Sequence, residues 1–198
     1  MGTITRTTAN NLTTNQGEGV MVKLQTATIS SGTSAVEFTS QIDSTYTHYC
    51  WKFISLHCDT NDKDLVFALS TDAGSSYNVA KTGSGHQQYM NEANGSDVAL
   101  ALSTIFNAVQ VTGTIKIGHS LGTDNDQACS GEFWLFNPSS TTFVKNYRSD
   151  IQNYHQANFA QQYIVQGYAN TSSAITGIKF AMDTGNLDAG TIVMYGVK

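Results

Sequence analysis

The last stretch of the chain, residues 175–198, contains two short runs of alternating side-chain character around a loop of turn residues. In the second run Ile192 and Met194 share one face of a strand, and Val193 and Tyr195 share the other. Successive strand side chains point to opposite faces, so this strand is apolar on both sides. Such a strand belongs inside a sheet that is covered above and below. The end of the chain is therefore predicted to lie in the core.

Comparable runs recur through the chain, with turn residues between them. Several are about ten residues apart, which favours a sandwich or a barrel over a βαβ fold. The sequence therefore predicts an all-β protein built as one antiparallel β-sandwich. Besides the C-terminal pair, strands are predicted over residues 20–29, 36–38, 46–58, 64–71, 113–118, 131–136, 142–154 and 163–169.

Some segments have less regular patterns. Residues 81–96 are glycine-rich and polar, which indicates a long connection or a weak strand. Residues 98–106 have apolar side chains close to helical spacing, so a helical turn is an alternative there. Residues 77–79 are predicted to form a hairpin with the strand before them. Within residues 46–58, strict alternation places Trp51 and Leu56 on opposite faces.

The 198 residues are enough for one domain with a substantial core. Residues 1–19 are rich in Thr and Asn and carry few large apolar side chains, so they cannot fold alone. We predict an extended N-terminal arm over residues 1–19 and a single β-sandwich domain over residues 20–198. The arm either lies on a neighbouring subunit or is a frayed terminus.

The charges are sparse and mostly acidic. The chain has 10 Lys and Arg against 15 Asp and Glu, a formal net charge of −5. No two basic residues are adjacent, whereas nucleic acid binding needs clustered Lys and Arg. No run approaches the roughly 20 apolar residues of a membrane helix, and the N-terminus has no apolar signal core. We expect no nucleic acid partner, no membrane insertion, and synthesis in a cytoplasm.

Three segments carry a family resemblance: VEFTSQIDSTYTHYCWKFISLHCDTNDKDLVFALSTDAGSSYNV (36–79), GHSLGTDNDQACSGEFWLFNPSSTTFVKNY (118–147) and GTIVMYGVK (190–198). As an ordered set they resemble the small all-β virion proteins of tailed, often marine, bacteriophages. The resemblance runs from about Met21 to the end of the chain. Proteins of this kind typically carry a jelly-roll-like β-sandwich and serve as head decoration or as tail-appendage modules.

The resemblance implies an all-β, jelly-roll-like antiparallel β-sandwich with an extended N-terminal arm, located on the virion. The expected function is capsid decoration, in which a cement protein clamps neighbouring head subunits. The implied partners are further copies of the chain, as a homo-oligomer and specifically a trimer, and the major capsid protein or tail proteins. The alternative is a tail-appendage or receptor-binding module that contacts a host surface glycan. The family offers no catalytic motif, so we expect no enzyme and no cofactor.

A cluster of aromatic side chains interleaved with Asn and Gln is the candidate functional surface. Surfaces of this composition fill subunit interfaces or stack on sugar rings. An interface is the favoured interpretation, glycan contact is the second, and ordinary core or loop is the third. The cluster contains Tyr147, Tyr154, His155, Phe159 and Tyr163.

Two acidic loops offer oxygen ligands at alternate positions, which suits calcium. The first contains Asp59, Asp62 and Asp64, and the second contains Asp124 and Asp126. Neither loop has the glycine and the distal glutamate of an EF-hand. The alternative is that both are solvated turns, for which Asp and Asn are natural residues. The five aspartates are therefore weak candidates for calcium ligands.

The three cysteines cannot all pair within one chain. Cys50 and Cys58 lie on one predicted strand, about 26 Å apart at roughly 3.3 Å per residue. A disulfide needs Cα atoms within about 7 Å of each other, so these two cannot bridge if the strand is straight. We predict that Cys50, Cys58 and Cys129 are free, buried thiols.

Overall fold

A computed structural model describes residues 21–198, and the predicted N-terminal arm, residues 1–19, lies outside the described residues. This part of the chain consists of strands, turns and loops. No helix among residues 21–198 is long and apolar enough to cross a membrane. The strands are β1 (Met21–Thr28), β2 (Val36–Phe38), β3 (His48–Cys58), β4 (Leu65–Ser70), β5 (Lys81–Asn91), β6 (Val98–Val111), β7 (Ile115–Lys116), β8 (Cys129–Phe136), β9 (Lys145–His155), β10 (Phe159–Ala169), β11 (Gly177–Met182) and β12 (Leu187–Val197).

The strands form two antiparallel sheets. The larger sheet has eight strands in the order β1-β12-β3-β8-β9-β10-β5-β6. The smaller sheet has four strands in the order β2-β11-β4-β7. Aromatic side chains from the facing sides of the two sheets contact one another, so the predicted all-β antiparallel sandwich is confirmed.

The core is an aromatic layer centred on Trp51 of β3. From the smaller sheet, Phe38 and Phe180 approach Trp51 with ring centroids at 6.1 and 6.0 Å. Further along, Phe67 of β4 contacts Phe133 of β8 at 4.5 Å. All five side chains are buried, because alternate residues of each strand point into the space between the sheets.

The C-terminal strand lies inside the larger sheet, as the sequence predicted. Strand β12 is hydrogen-bonded to β1 on one side and to β3 on the other. Ile192 and Met194 are fully buried on the core side. On the other face Val193 is buried and Tyr195 is half-buried, so that face is covered only in part. The three cysteines are free and buried, as predicted.

Strand β3 contains a bulge that the sequence pattern did not predict. Ser55 has a φ of 49°, and the pairing of β3 with β8 shifts register between Phe53 and Leu56. A bulge adds one residue to a strand and therefore reverses its alternation from that point on. Trp51 and Leu56 are consequently both in the core, and the prediction that they face opposite ways is wrong.

The secondary structure of the least regular segments also differs from what the sequence predicts. Residues 81–91 form a full strand, β5, between β10 and β6. Residues 98–111 form β6, so the helical turn considered for residues 98–106 is wrong. Residues 77–79 are not a strand, so the predicted hairpin is wrong; the segment before them is a turn in which the Asp72 side chain accepts hydrogen bonds from Ser76.

Candidate functional site

The outward face of strands β9, β10, β5 and β6, here called the platform, is the main candidate site. It faces away from the smaller sheet and holds an open groove of about 1110 Å³. The groove combines amide, apolar and phenolic side chains. Its lining includes Gln88, Met90, Leu100, Gln152, Tyr154 and Gln162.

Three glutamines form a continuous row across the platform. Gln88, Gln162 and Gln152 are directly opposite one another on β5, β10 and β9. The Gln88 side-chain amide donates to Gln162 Oε1 at 2.6 Å. Gln162 and Gln152 both donate to Asp150 Oδ1, at 2.7 and 2.9 Å. The neighbouring side chains thus fix the orientation of each amide, and the platform presents a preorganised polar strip.

Apolar side chains lie beside this strip, on β6, the edge strand of the sheet. Val98, Leu100 and Leu102 project outward from β6, opposite Met90, Gln88 and His86 of β5. Leu100 is 73% exposed and Leu102 is 90% exposed. Contiguous exposed apolar side chains on a folded protein usually mark an interaction site. The platform therefore has the character of a surface that another molecule covers. The apolar members are Met90, Val98, Leu100 and Leu102.

The five members of the predicted aromatic cluster do not form one surface. For two of them the prediction of a partly exposed position is wrong. Tyr147 and Tyr163 are buried in the core. On the β10 side of Tyr147 the neighbours across the sheet are Gly167 and then Gly83, and the Tyr147 side chain fills the space that their missing side chains leave. Tyr163 packs on Phe106 with centroids at 5.2 Å. Neither tyrosine can contact a partner or a sugar directly.

The other members of the cluster are half-buried. Tyr154 lines the platform groove, and its hydroxyl donates to Glu92 at 2.6 Å. That hydrogen bond to a carboxylate raises the pKa of Tyr154 to about 12. His155 and Phe159 lie instead at a smaller pocket of about 300 Å³, with their rings 5.6 Å apart. Burial lowers the pKa of His155.

The aspartates proposed for calcium do not come together. Among residues 21–198 no three His, Cys, Asp or Glu side chains are arranged to hold a metal ion. Asp59 accepts hydrogen bonds from the backbone and the side chain of Asn186. Asp64 is paired with the Lys116 ammonium and hydrogen-bonded to the His119 ring, so both of its carboxylate oxygens already have partners. Asp62 accepts a hydrogen bond from Ser120, while Asp124 and Asp126 are exposed.

Residues 118–122 read Gly-His-Ser-Leu-Gly, a motif that the sequence reasoning missed although its spacing was readable. G-x-S-x-G is the spacing around the nucleophile of many serine hydrolases. His119 Nδ1 lies 2.7 Å from Asp64 Oδ1, and His119 Nε2 lies 3.2 Å from Ser120 Oγ. Ser120 also has a left-handed φ of 51°. The connectivity is that of a Ser-His-Asp triad, so its chemistry has to be considered.

The surroundings of Ser120 do not suit nucleophilic attack. Its hydroxyl donates to Asp62 at 2.6 Å, which directs the proton away from the imidazole of His119, and Ser120 is buried. An oxyanion hole needs an available backbone N–H, usually from the residue after the serine. The N–H of Leu121 donates to the Lys63 carbonyl at 2.8 Å, and that of Ser120 donates to Asp64. The network therefore fastens the 118–122 loop to the start of β4.

Asp64 gives this network a pH dependence. Burial alone would raise the pKa of Asp64, but hydrogen bonds from His119, Lys116 and Ser120 lower it to about 2. A carboxyl whose pKa is lowered on folding stabilises the protein above its unfolded pKa and loses that effect as the pH falls through the folded value. We expect Asp64→Asn to lower the free energy of unfolding by about 2 kcal/mol near pH 6, and by much less near pH 2.

Urea unfolding of wild type and variant at several pH values between these limits measures the difference. Asp126→Asn, at an exposed aspartate, is the matched control and should follow the wild type throughout. A wild-type-to-variant difference that stays constant from neutral to acid pH would contradict this role of the Asp64 carboxylate.

No protein-family model matches the chain, and neither a curated protein nor a solved structure matches it. Among residues 21–198 the platform and the His119 network each combine several chemically distinctive side chains. The hydrogen bonds of the His119 network attach the 118–122 loop to residues 62–64. The platform presents accessible polar and apolar groups, and it is the better basis for a function.

Proposed function

We propose that this protein is a non-enzymatic structural protein of a bacteriophage virion that decorates the capsid. The observation that carries the proposal is strand β6, which forms one edge of the larger sheet and exposes apolar side chains on the platform. Water-exposed apolar residues at an unpaired sheet edge favour association with other protein. This surface fits a protein that functions while covered by its neighbours.

The sheet order supports a jelly-roll arrangement, which is common among viral capsid proteins. Eight strands form two facing sets of four, β1-β12-β3-β8 and β2-β11-β4-β7. The chain alternates between the sheets: β1 and β3 lie in the larger sheet, and β2 and β4 in the smaller one. The alternation resumes with β7 in the smaller sheet, β8 in the larger, β11 in the smaller and β12 in the larger. The remaining strands, β5, β6, β9 and β10, extend one sheet, and these four form the platform.

Burial of apolar surface is the proposed mechanism. Each apolar Å² removed from water contributes about 25 cal/mol, and a stable interface buries about 800 Å² on each partner. Copies that pack on one another and on the major capsid protein add such interfaces across the head. The added contacts resist the outward pressure of packaged DNA. A homo-oligomer multiplies the contacts made by each unit.

The glutamine row favours a second candidate, a tail-appendage module that binds a host glycan. Side-chain amides and carboxylates are suitable partners for sugar hydroxyls, and an aromatic ring beside them suits stacking on a sugar ring. Gln88, Gln162 and Gln152 supply the amides, Asp150 supplies the carboxylate, and Tyr154 lies in the same groove. This candidate uses the polar strip of the platform and leaves the apolar end of β6 uncovered.

The copy number of the protein per virion separates these candidates. Quantitative mass spectrometry of purified particles, with the major capsid protein as the internal standard, gives that number. Capsid decoration predicts hundreds of copies per particle. About a dozen copies or fewer would contradict decoration and favour the tail module, for which Gln162→Ala should then weaken binding to host cells. Absence from the particle would contradict both.

A further inference from the structure

We infer that β6 pairs with β6 of a second copy of this chain, antiparallel about a two-fold axis, so that two eight-stranded sheets become one. The inference rests on the proposed function in taking the platform as an assembly surface. It adds the identity of the first partner, which is the protein itself, and the geometry of the contact.

The backbone of β6 has one free side. On its inner side β6 is hydrogen-bonded to β5, and within residues 21–198 no strand lies on its outer side. Strand β6 spans 14 residues, the longest strand in the described part of the chain. A row of unpaired N–H and C=O groups of this length is a template for another strand.

The edge lacks the features that usually prevent such pairing. Natural edge strands carry charged residues, especially Lys, or Pro, which make pairing with another chain unfavourable. The sequence of β6, VALALSTIFNAVQV, has no charged residue and no Pro. Strand β1, at the opposite edge of the sheet, carries the exposed Lys23. The two edges therefore differ in the way expected if β6 is covered and β1 faces solvent.

One half of β6 is regular enough to pair. Residues 98–103 match β5 one to one, from Val98 opposite Met90 to Ser103 opposite Gly85. Beyond residue 103 the register shifts, and Gln110 has a φ of 53°. Bulges of this kind twist an edge and end pairing. The pairing segment is therefore residues 98–103.

The side chains of this segment are self-complementary. A two-fold axis perpendicular to the sheet keeps outward side chains on the outward face. Each outward-pointing residue is then directly opposite an outward-pointing residue of the second copy. With the axis at Leu100, Leu100 meets Leu100 of the second copy and Val98 meets Leu102. Every outward pair is then apolar, and the exposed Leu100 and Leu102 each gain an apolar cross-strand neighbour from the second copy. No like charges are brought together, because the segment has none.

Sedimentation velocity on the purified full-length protein at micromolar concentration tests the pairing. Wild type should sediment as a dimer of about 43 kDa, twice the chain mass of 21.3 kDa. Leu100→Lys places two ammonium groups opposite each other and should give a monomer, without cost to the fold because Leu100 is 73% exposed. Phe143→Lys, at a loop residue that is 68% exposed, is the matched control and should remain a dimer. A monomeric wild type, or a dimeric Leu100→Lys, would overturn the inference.

Spin labels on single introduced cysteines test the geometry, since the three native cysteines are buried. The label-to-label distance should be shortest at residue 100 and should increase with every residue away from it, because the offset between the labels along the strand grows by about 7 Å per residue, twice the rise of a strand. A ring built by β6 of one copy on β1 of the next, such as a trimer, would lack this symmetric pattern and would overturn the two-fold contact. Copy number on the virion is measured independently, so a monomer abundant on particles would refute the pairing and leave the proposed function standing.

Discussion

Replacement of Trp51 by alanine is expected to lower the free energy of unfolding by about 3–5 kcal/mol. Trp51 is fully buried and contacts aromatic rings of both sheets, including Phe180 at 6.0 Å and Phe133 at 6.0 Å. Its removal leaves a cavity between the two sheets that the strands cannot close without losing their register. A domain of this size is typically stable by only about 5–15 kcal/mol, so the loss is a large fraction of the total.

Urea or guanidinium unfolding of the wild type and the variant measures this loss. Phe143→Ala is the control, because Phe143 is 68% exposed and its truncation should change stability by about 0.5 kcal/mol or less. Trp51→Phe should cost less than the alanine variant, since it keeps most of the ring and removes an indole N–H that has no hydrogen-bond partner. A Trp51→Ala protein as stable as the wild type would show that the two sheets do not depend on this contact.

Gly167→Ala is expected to destabilise the protein by roughly 3 kcal/mol, at the upper end for overpacked sites. A Cβ at Gly167 would lie 2.7 Å from the Cα of Gly83 and would overlap the Thr82 carbonyl oxygen and the Tyr147 hydroxyl. Two of these three obstacles are backbone atoms, so a change of side-chain rotamer cannot relieve the clash. Strands β10 and β5 would have to separate, which weakens their ladder under the platform.

Gly113→Ala is the matched control for this substitution. A Cβ at Gly113 meets nothing within 4 Å, and the residue is exposed. The control should therefore unfold at the same denaturant concentration as the wild type, within the scatter of about 0.5 kcal/mol expected for surface changes. Equal stability of the Gly167 and Gly113 variants would refute the close packing of Tyr147 over the two glycines.

The packing of Tyr147 on Gly167 and Gly83 also supports the platform on the other face of the sheet. Tyr147 lies over Gly167 and Gly83, and its ring stacks on Phe133 at 6.0 Å. Core packing therefore continues from β8 under β9, β10 and β5, which fixes the spacing of the glutamine row on the opposite face. A surface that is ordered before binding loses less conformational entropy when a partner covers it. Such rigidity agrees with the proposed capsid decoration, in which every copy would present the same face.

The His119 network shows why a motif has to be judged by its surroundings. The G-x-S-x-G spacing and the Ser-His-Asp connectivity are both present at residues 118–122. The hydroxyl proton of Ser120 is nevertheless directed to Asp62, and the N–H of Leu121 is bonded to the Lys63 carbonyl. The same residue types that make a nucleophile in a hydrolase here tie a loop to a strand.

Local pattern was sufficient for the features that depend on one strand at a time. The two-sided apolar run placed β12 inside a sheet, and the separation of Cys50 and Cys58 along one strand indicated free thiols. Alternation also placed Trp51 in a strand, and the recurrence of such runs gave the all-β sandwich. These features follow from the period of two along a strand, which the order of residues encodes directly.

Tertiary structure alone decided which strands are neighbours, and with them the candidate site. Gln88 and Gln162 are 74 residues apart in the chain, and only the pairing of β5 with β10 brings their amides to 2.6 Å. The Tyr147 side chain fits in the core because the residues across from it on β10 and β5 are glycines, and it packs there against Phe67 and Phe133. The period of two records which side of its own strand a side chain occupies and carries no information about the strand that lies next to it. Pairing is decided by the packing of the whole sheet, and for that reason the platform was not predictable from the sequence.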